Sequence, residues 1–318
     1  MDKAENLLLY VRIALLTTEA QLNTVFNPTV TVLHMLKNPI PELVLYFDLE
    51  WVPDAAGAKR LFDLPDETTE LEAMQALWAH SPQYDAEKNP RPFLKYMFSR
   101  VVSIAFLSRK FHFNRDRERV TEFALNSLPK LPLESDDVDE ASIIDRFLYF
   151  VGERRPQLVG FNSAESDLQV LIQRGLINEV TAPAFNERPN KPWEGPDYFD
   201  ARNSEAHFDL LTKFSNRGGM SPRLDELAKM CGFPGKIDVK GDQVTDLWLA
   251  RDLTKIVEYN QIDTLNTYLV WLRLVYFAGQ ISEEDYIHEQ EQFREFLENE
   301  TTKPEKAFLA DFLAKWPL

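Results

Sequence analysis

Two carboxylates interrupt a strongly apolar stretch of the chain, and they constrain the fold more than any other feature. Residues 43–51 have the sequence LVLYFDLEW, whose aliphatic and aromatic side chains predict a buried strand. Asp48 and Glu50 are two residues apart, so in a strand both side chains point to the same face. Adjacent buried negative charges are costly unless a cation lies between them, and a divalent metal ion with oxygen ligands supplies one. The alternative is a strand that ends in solvent with both carboxylates hydrated.

The composition narrows the classes of protein that the chain can represent. Its 318 residues include 35 basic and 51 acidic side chains, which gives a net charge of −16. Such a protein does not coat duplex nucleic acid by bulk charge, although it can hold a few nucleotides in a local basic groove. The single cysteine, Cys231, cannot form an internal disulfide. The N-terminal sequence is a poor secretory signal and no segment predicts a membrane span, so we expect a cytoplasmic protein without a membrane partner.

Hydrophobic periodicity predicts an α/β order of elements. Further strands are expected over 101–107, 119–125 and 157–161, the first two joined through residues 109–116. Helices are expected over 67–80, 143–151, 164–175, 222–231 with Ser221 as its N-cap, 244–250, 253–277, 284–297 and 305–313. Residues 178–200 contain four prolines and predict a loop. Three strands, a helix, a strand and a helix, in this order, indicate a domain with a mixed sheet.

Further polar residues stand where they can meet the first carboxylate pair. Asp167 follows the strand over 157–161 and falls in the first turns of a helix, where a carboxylate is also simply a favourable charge. Asn162, five residues earlier, is placed to bond the turn or to cap the helix. Tyr259 and Asp263 are four residues apart on the longest predicted helix and therefore share a face. A phenol and a carboxylate at this spacing can bind a metal and position a water, or can form a plain surface pair.

In combination, the three motifs resemble the DEDD superfamily of 3′–5′ exonucleases, which implies a ribonuclease-H-like fold. Tyr259 indicates the tyrosine-bearing branch, because the histidine-bearing branch would have histidine at the position of Glu258. Within the superfamily, the chain is similar to the predicted 3′–5′ exonucleases related to the proofreading domain of B-family DNA polymerases. The segments that carry this similarity are the gap of five from Asn162 to Asp167, VVSIA at 101–105, HFDLL at 207–211, and LDELA at 224–228 running to Gly235 and Lys236.

The resemblance implies a metal-dependent activity and the residues that carry it. Asp48, Glu50, Asp167 and Asp263 would be the catalytic carboxylates that bind two ions. Mg²⁺ or Mn²⁺ suits such all-oxygen ligands better than zinc. Tyr259 would orient the attacking water. The implied reaction removes nucleoside 5′-monophosphates from the 3′ end of single-stranded DNA.

The resemblance also suggests which residues contact the substrate. Leu49, Trp51 and Asn162 are the expected contacts, and Trp51 stands where many relatives have threonine. Its indole can stack on a base or can belong to the core. Ser166 departs from the small or aromatic residue that often precedes the aspartate of this motif, so helix packing at this corner can differ. Basic residues near the motifs are candidate phosphate contacts: Lys95, Arg100, Lys236 and Lys240.

The same resemblance implies a domain organisation and leaves three alternatives open. We expect an exonuclease domain over residues 35–290, an N-terminal helical appendage over 1–34 and a C-terminal helical tail over 291–318. An RNA exonuclease would use the same carboxylates, and a contact to the 2′-hydroxyl would distinguish it. A non-catalytic nucleic-acid-binding module would be expected to lack a carboxylate, and none is missing. A third alternative is a proofreading or repair subunit whose acidic C-terminal helices dock on a separate polymerase.

Overall fold

The computed structural model describes residue 36 and residues 39–115, 119–134, 139–191, 194–200, 204–215, 220–237 and 241–316. The expected helical appendage over 1–34 and the candidate phosphate contact Lys240 fall outside the described residues. The chain divides into two compact units, Met1–Lys37 and Asn38–Leu318, and every element below belongs to the second. In the part of the chain that the structure describes, no helix is both long and apolar enough to cross a membrane.

The described residues form five strands and eleven α-helices. The strands are β1 (Leu43–Pro53), β2 (Ser99–Phe113), β3 (Arg119–Leu128), β4 (Gln157–Gly160) and β5 (His207–Asp209). The helices are α1 (Ala55–Leu61), α2 (Glu70–His80), α3 (Glu140–Arg154), α4 (Asp167–Ile177), α5 (Pro183–Asn186), α6 (Leu210–Phe214), α7 (Leu224–Met230), α8 (Val244–Leu249), α9 (Leu253–Phe277), α10 (Glu283–Glu300) and α11 (Leu309–Ala314).

The strands form one mixed sheet in the order β3-β2-β1-β4-β5. β2 is antiparallel to both β1 and β3, whereas β4 is parallel to β1 and to β5. This order and these directions are those of a ribonuclease-H-like sheet. With helices on both faces, the arrangement confirms the predicted α/β class.

Alternation along β1 distributes its side chains between the two faces of the sheet. The ring of Phe47 packs against Phe147 of α3, with 5.6 Å between centroids. The ring of Tyr46 packs on the opposite face against Tyr268 of α9, at 5.0 Å. Because every second residue shares a face, the carboxylates at positions 48 and 50 project toward α9.

Several elements differ from their predicted bounds, and in three of them local backbone bonding gives the reason. β2 continues to Phe113, because it pairs with β3 as far as Arg119, so the connection is shorter than the predicted 109–116. α4 begins at Asp167 rather than 164, since the preceding residues form a turn in which Ser166 N donates to Asn162 O at 3.1 Å. α7 begins at residue 224, with Arg223 rather than Ser221 at its N-cap.

Four short elements were not predicted at all. They are α1 with seven residues, α6 with five, α5 with four, which lies within the predicted loop over 178–200, and β5 with three. Segments of this length span at most two turns of a helix or fewer than two periods of a strand, so their hydrophobic pattern carries little signal. The longest helix, α9, confirms its predicted bounds of 253–277.

A buried arginine joins the elements around one end of the sheet. Arg174 of α4 donates from Nη1 to Asp54, directly after β1, at 2.9 Å. Its Nε and Nη2 donate to both oxygens of Glu140 at the start of α3, at 2.8 and 2.6 Å. Glu140 also accepts from the backbone N–H of Val101 in β2, at 2.8 Å. These bonds fix the end of β1 relative to β2, α3 and α4.

Helix α10 is held against the sheet by a buried ion pair and by aromatic packing. Arg109 of β2 donates from Nε and Nη2 to the two oxygens of Glu289, at 2.6 and 2.7 Å. One turn further on, Phe293 packs against Tyr268 of α9 at 4.4 Å and against Trp316 at 5.9 Å between centroids. The proposed tail over 291–318 therefore begins inside α10.

Candidate metal centre

Three carboxylates from two elements meet where β1 packs on α9. Asp48 and Glu50 come from β1 and Asp263 comes from α9, and one oxygen atom of each lies within 4.8 Å of the others. Asp263 is buried and the β1 pair is half-buried. The structure thus brings together the first and third sequence motifs, which are more than 200 residues apart.

The fourth predicted carboxylate, Asp167, is attached to β1 by backbone bonding. Its Oδ1 accepts from the N–H of Leu49, which lies between the two strand carboxylates, at 3.0 Å. Its Oδ2 accepts from the hydroxyl of Ser166 at 2.6 Å. Ser166, directly before this aspartate, therefore helps to orient the carboxylate.

The turn that carries Asp167 is shaped by Asp209 at the end of β5. The Asp209 carboxylate accepts from the backbone N–H of Asn162 at 2.9 Å and of Ala164 at 3.0 Å. Asn162 has a left-handed backbone (φ 65°), which asparagine tolerates better than most residues. Among the described residues, the candidate cavity is lined by Phe161 and Ser166 rather than by Asn162, whose backbone holds the turn.

A chain of hydrogen bonds orients Asp48. The side-chain amide of Asn260 donates to Asp48 Oδ2 at 2.7 Å, and the hydroxyl of Ser103 donates to Asn260 Oδ1 at 2.8 Å. Asn260 and Ser103 are fully buried. Sequence reasoning missed Asn260, because no spacing rule connects residues 103 and 260 to a strand at 48.

Lys236 brings a positive charge to the cluster. Its ammonium nitrogen lies 3.4 Å from Asp263 Oδ2 and donates a hydrogen bond to the hydroxyl of Tyr259. The other oxygen of Asp263 is buried and has no hydrogen-bond partner among the described residues. An unsatisfied buried carboxylate oxygen is costly, and a bound cation would satisfy it.

The carboxylates oppose one another's ionisation. Burial raises the pKa of Asp48 well above its usual range, and the charges of Asp167 and Glu50 add to the increase. Burial likewise raises the pKa of Glu50 and of Asp263, and raises that of Asp167 to about 6. The charge of Lys236 acts in the opposite direction on Asp48, Glu50 and Asp263. A divalent cation relieves such a cluster, and its all-oxygen donor set fits Mg²⁺ or Mn²⁺.

Tyr259 lies beside the cluster and keeps its proton at neutral pH. Burial raises the pKa of the Tyr259 hydroxyl, and the neighbouring charges of Asp263 and Glu50 raise it further. The phenol is therefore a hydrogen-bond donor rather than a base.

A cavity of about 620 Å³ opens over the cluster. The expected substrate contacts Leu49 and Trp51 both line it. The pairing of β1 with β2 shifts by one residue between Glu50 and Trp51, because Val102 is an extra residue in β2, a β-bulge. Trp51 is half-buried and its ring also packs against Tyr96, 6.3 Å between centroids, so it faces both the core and the cavity. The remaining walls include residues without an assigned role: Trp78, Arg91, Pro92, Phe93, Leu94 and Thr245.

The fold and the cluster together define a ribonuclease-H-like α/β protein with a candidate divalent-metal centre. The family described as predicted 3′–5′ exonucleases related to the exonuclease domain of PolB matches residues 91–316. The chain belongs to this family, which confirms the resemblance found in the motifs. The matched residues include Asp167, Tyr259 and Asp263 but begin after Asp48 and Glu50.

Comparison with other proteins adds little beyond the family. No curated protein matches the chain significantly. A solved structure titled "ExoI/SSB-Ct complex" is 14% identical, with a TM-score of 0.30. The match covers 73% of this chain and 44% of that one, so this chain matches less than half of that longer chain. The ribonuclease-H-like assignment rests on the strand order and not on this similarity.

Proposed function

We propose that the protein is a divalent-metal-dependent 3′–5′ exonuclease that releases nucleoside 5′-monophosphates from the 3′ end of single-stranded DNA. The observation that carries the proposal is the convergence of Asp48, Glu50 and Asp263, with Asp167 and Tyr259 lining the same cavity. Family membership supports the reaction class.

The four carboxylates would share two ions. Asp48, Glu50 and Asp263 would hold one, and Asp48 with Asp167 would hold the other, partly through water. When bound, such ions polarise the scissile phosphate, activate water and stabilise the departing 3′ oxygen.

The surrounding side chains would orient the reacting groups. Tyr259, protonated at neutral pH, would donate a hydrogen bond and so position the attacking water, with Glu50 beside it. Asn260 would hold the Asp48 carboxylate in one orientation. Lys236 is close enough to the cluster to contact a phosphate oxygen once metal compensates the charge of Asp263.

The test uses two 5′-labelled single strands of the same sequence, one of DNA and one of RNA. Each is incubated with Mg²⁺, with Mn²⁺ and with chelator, beside the variants Asp48→Ala and Glu165→Ala. Glu165 is an exposed carboxylate in the turn before α4 and serves as the matched control.

We expect a metal-dependent ladder that shortens from the 3′ end of the DNA. The hydrolysis rate of Asp48→Ala should be lower than that of the wild type by more than about 100-fold, because removal of a metal ligand lowers activity more than removal of the groups that support it. Circular dichroism should show that both variants remain folded. Full activity in Asp48→Ala would refute the metal site. Faster degradation of RNA than of DNA would make RNA the proposed substrate.

A further inference from the structure

An exposed aromatic side chain stands at the mouth of the candidate site. Phe93 is 65% exposed, although phenyl groups are usually buried in folded proteins. It lines the cavity over the carboxylates and also a second cavity of about 530 Å³. The two cavities therefore meet at this ring.

The backbone on both sides of Phe93 is anchored. Pro92 and Leu94 are buried, and Leu94 belongs to the same core cluster as Trp78 of α2. The Phe93 ring packs on Tyr96, 5.6 Å between centroids and nearly perpendicular. An exposed ring on an anchored backbone loses little conformational freedom when a flat ligand stacks on it.

Basic residues flank Phe93 on both sides. Arg91 lines the first cavity, where its guanidinium lies 5.1 Å from the centre of the Trp78 ring and bonds Asp246 at 2.8 Å. Lys95 is exposed and lines the second cavity. Aromatic rings between cations are the usual means by which proteins hold single-stranded nucleic acid, since bases stack and phosphates pair. Because this protein has a net charge of −16, we expect base stacking to supply a larger share of the binding free energy than it does in a basic protein.

We propose that Phe93 is a base-stacking subsite for the single strand upstream of the scissile phosphate, with the strand leaving the catalytic cavity over this ring toward Lys95. This inference rests on the proposed exonuclease function and adds the selection of an unpaired end. A base in a duplex is already stacked and paired, so the ring accepts only a strand that has separated from its complement.

The first test compares Phe93→Ala with Phe113→Ala. Phe113 at the end of β2 is also 65% exposed and lies outside both cavities, so it controls for the loss of an exposed ring. Each variant is assayed on a single-stranded oligodeoxynucleotide and on the p-nitrophenyl ester of thymidine 5′-monophosphate, which has no upstream base. For Phe93→Ala we expect kcat/KM on the oligonucleotide to fall by about 5-fold to 150-fold, the range measured for one stacked base. The loss on the ester should be much smaller, and Phe113→Ala should match the wild type on both.

The second test identifies the stacked base. One nucleotide at a time, counted from the 3′ end, is replaced by an abasic residue in the oligonucleotide. At one upstream position the abasic substitution should lower kcat/KM for the wild type but not further for Phe93→Ala, which is the signature of a direct interaction. Because stacking is not ionic, the Phe93→Ala loss should persist as salt is raised.

The outcomes separate this inference from the function on which it rests. If the wild-type protein hydrolyses neither the ester nor the oligonucleotide, the exonuclease proposal is wrong. Binding of a fluorescent single strand in chelator then still tests the subsite, and equal affinity of wild type and Phe93→Ala would refute it. If the wild type is active, two results would overturn the inference. One is an equal loss of kcat/KM in Phe93→Ala on the ester and on the oligonucleotide. The other is that the effects of Phe93→Ala and of the abasic substitution add at every position.

Discussion

At the residue scale, the four carboxylates lower the stability of the metal-free protein at neutral pH. A carboxyl group whose pKa is raised by folding stabilises the fold most while protonated, below its unfolded pKa near 4. That stabilisation is lost as the pH rises through the folded value, which is about 6 for Asp167. At pH 7.5 the Asp167 carboxylate is therefore ionised, and its charge beside the other carboxylates destabilises the fold unless a cation is bound.

Binding of Mg²⁺ should stabilise the protein. At a concentration of 100 times Kd, a ligand that binds only the folded state adds about 2.7 kcal/mol. For a protein of this size that corresponds to a rise in Tm of roughly 5 °C, measurable by thermal unfolding in Mg²⁺ against chelator.

The variant Glu50→Gln tests whether the rise in Tm comes from a metal ion bound at the carboxylates. It removes one charge from the cluster, so its metal-free Tm should exceed that of the wild type while its response to Mg²⁺ shrinks. Glu165→Gln, an exposed neighbour, should behave as the wild type in both respects. An unchanged Mg²⁺ response in Glu50→Gln would place the ion elsewhere.

Asn260 should act through Asp48 rather than on the substrate. Asn260→Ala removes the amide that donates to Asp48 Oδ2, and loss of such a supporting bond costs about 10- to 100-fold in metal affinity or activity. We expect the Mg²⁺ concentration for half-maximal rate to rise, with partial recovery at high Mn²⁺. Thr264→Ala, equally buried one turn along α9, is the control. An equal defect in both variants would mean that the effect is one of packing.

At the scale of elements, the ion pair between β2 and α10 should be essential for stability. Arg109 is fully buried, and its positive charge is compensated by both oxygens of Glu289. Removal of one partner leaves a buried charge unpaired, so Glu289→Ala should lower the free energy of unfolding by about 3–5 kcal/mol. Urea denaturation measures the difference.

Two comparisons distinguish this ion pair from general damage to α10. Glu291→Ala, on the exposed side of α10, should change stability by less than about 0.5 kcal/mol. The double variant Arg109→Met with Glu289→Leu should recover much of the loss, because well-packed apolar side chains often replace a buried pair without penalty. A single variant as stable as the wild type would refute the assignment.

The elements that sequence could predict are those with enough residues to show a period. β1 and α9 have 11 and 25 residues, and their centres were predicted by runs of apolar side chains. β5 was missed because its three residues pair with β4 through the backbone, which periodicity does not detect. The predicted start of α4 was wrong because a turn held by Asp209 delays the helix to Asp167.

The candidate site was predictable only where motif spacing encodes it. Asp48 and Glu50 share a face because a strand alternates, and Tyr259 and Asp263 share one because a helix repeats. The supporting side chains have no such signature. Asn260 reaches Asp48 only because α9 crosses β1, and this crossing is a property of the assembled sheet.

At the scale of the whole molecule, the proposed appendage can be tested by deletion. The described fold and all candidate site residues lie after residue 38. A chain lacking residues 1–34 should therefore remain soluble and retain its kcat/KM on single-stranded DNA within about twofold, because loss of a separate unit leaves the core intact. Size-exclusion chromatography and the ladder assay measure both properties. An insoluble product would show that residues 1–34 belong to the folded domain.

The bulge between β1 and β2 makes the residue counts of these two strands as important as their composition. Glu50 pairs with Ser103 and Trp51 pairs with Val101, so Val102 is an extra residue in β2 while β1 keeps its alternation. Deletion of one residue from β1 between Glu50 and Val52 would exchange the faces of every side chain that follows, up to the Asp54 carboxylate that Arg174 holds. Grafting of this centre onto another scaffold would therefore have to copy the residue counts of both strands, and a single-codon deletion in β1 would disable the protein more completely than most substitutions.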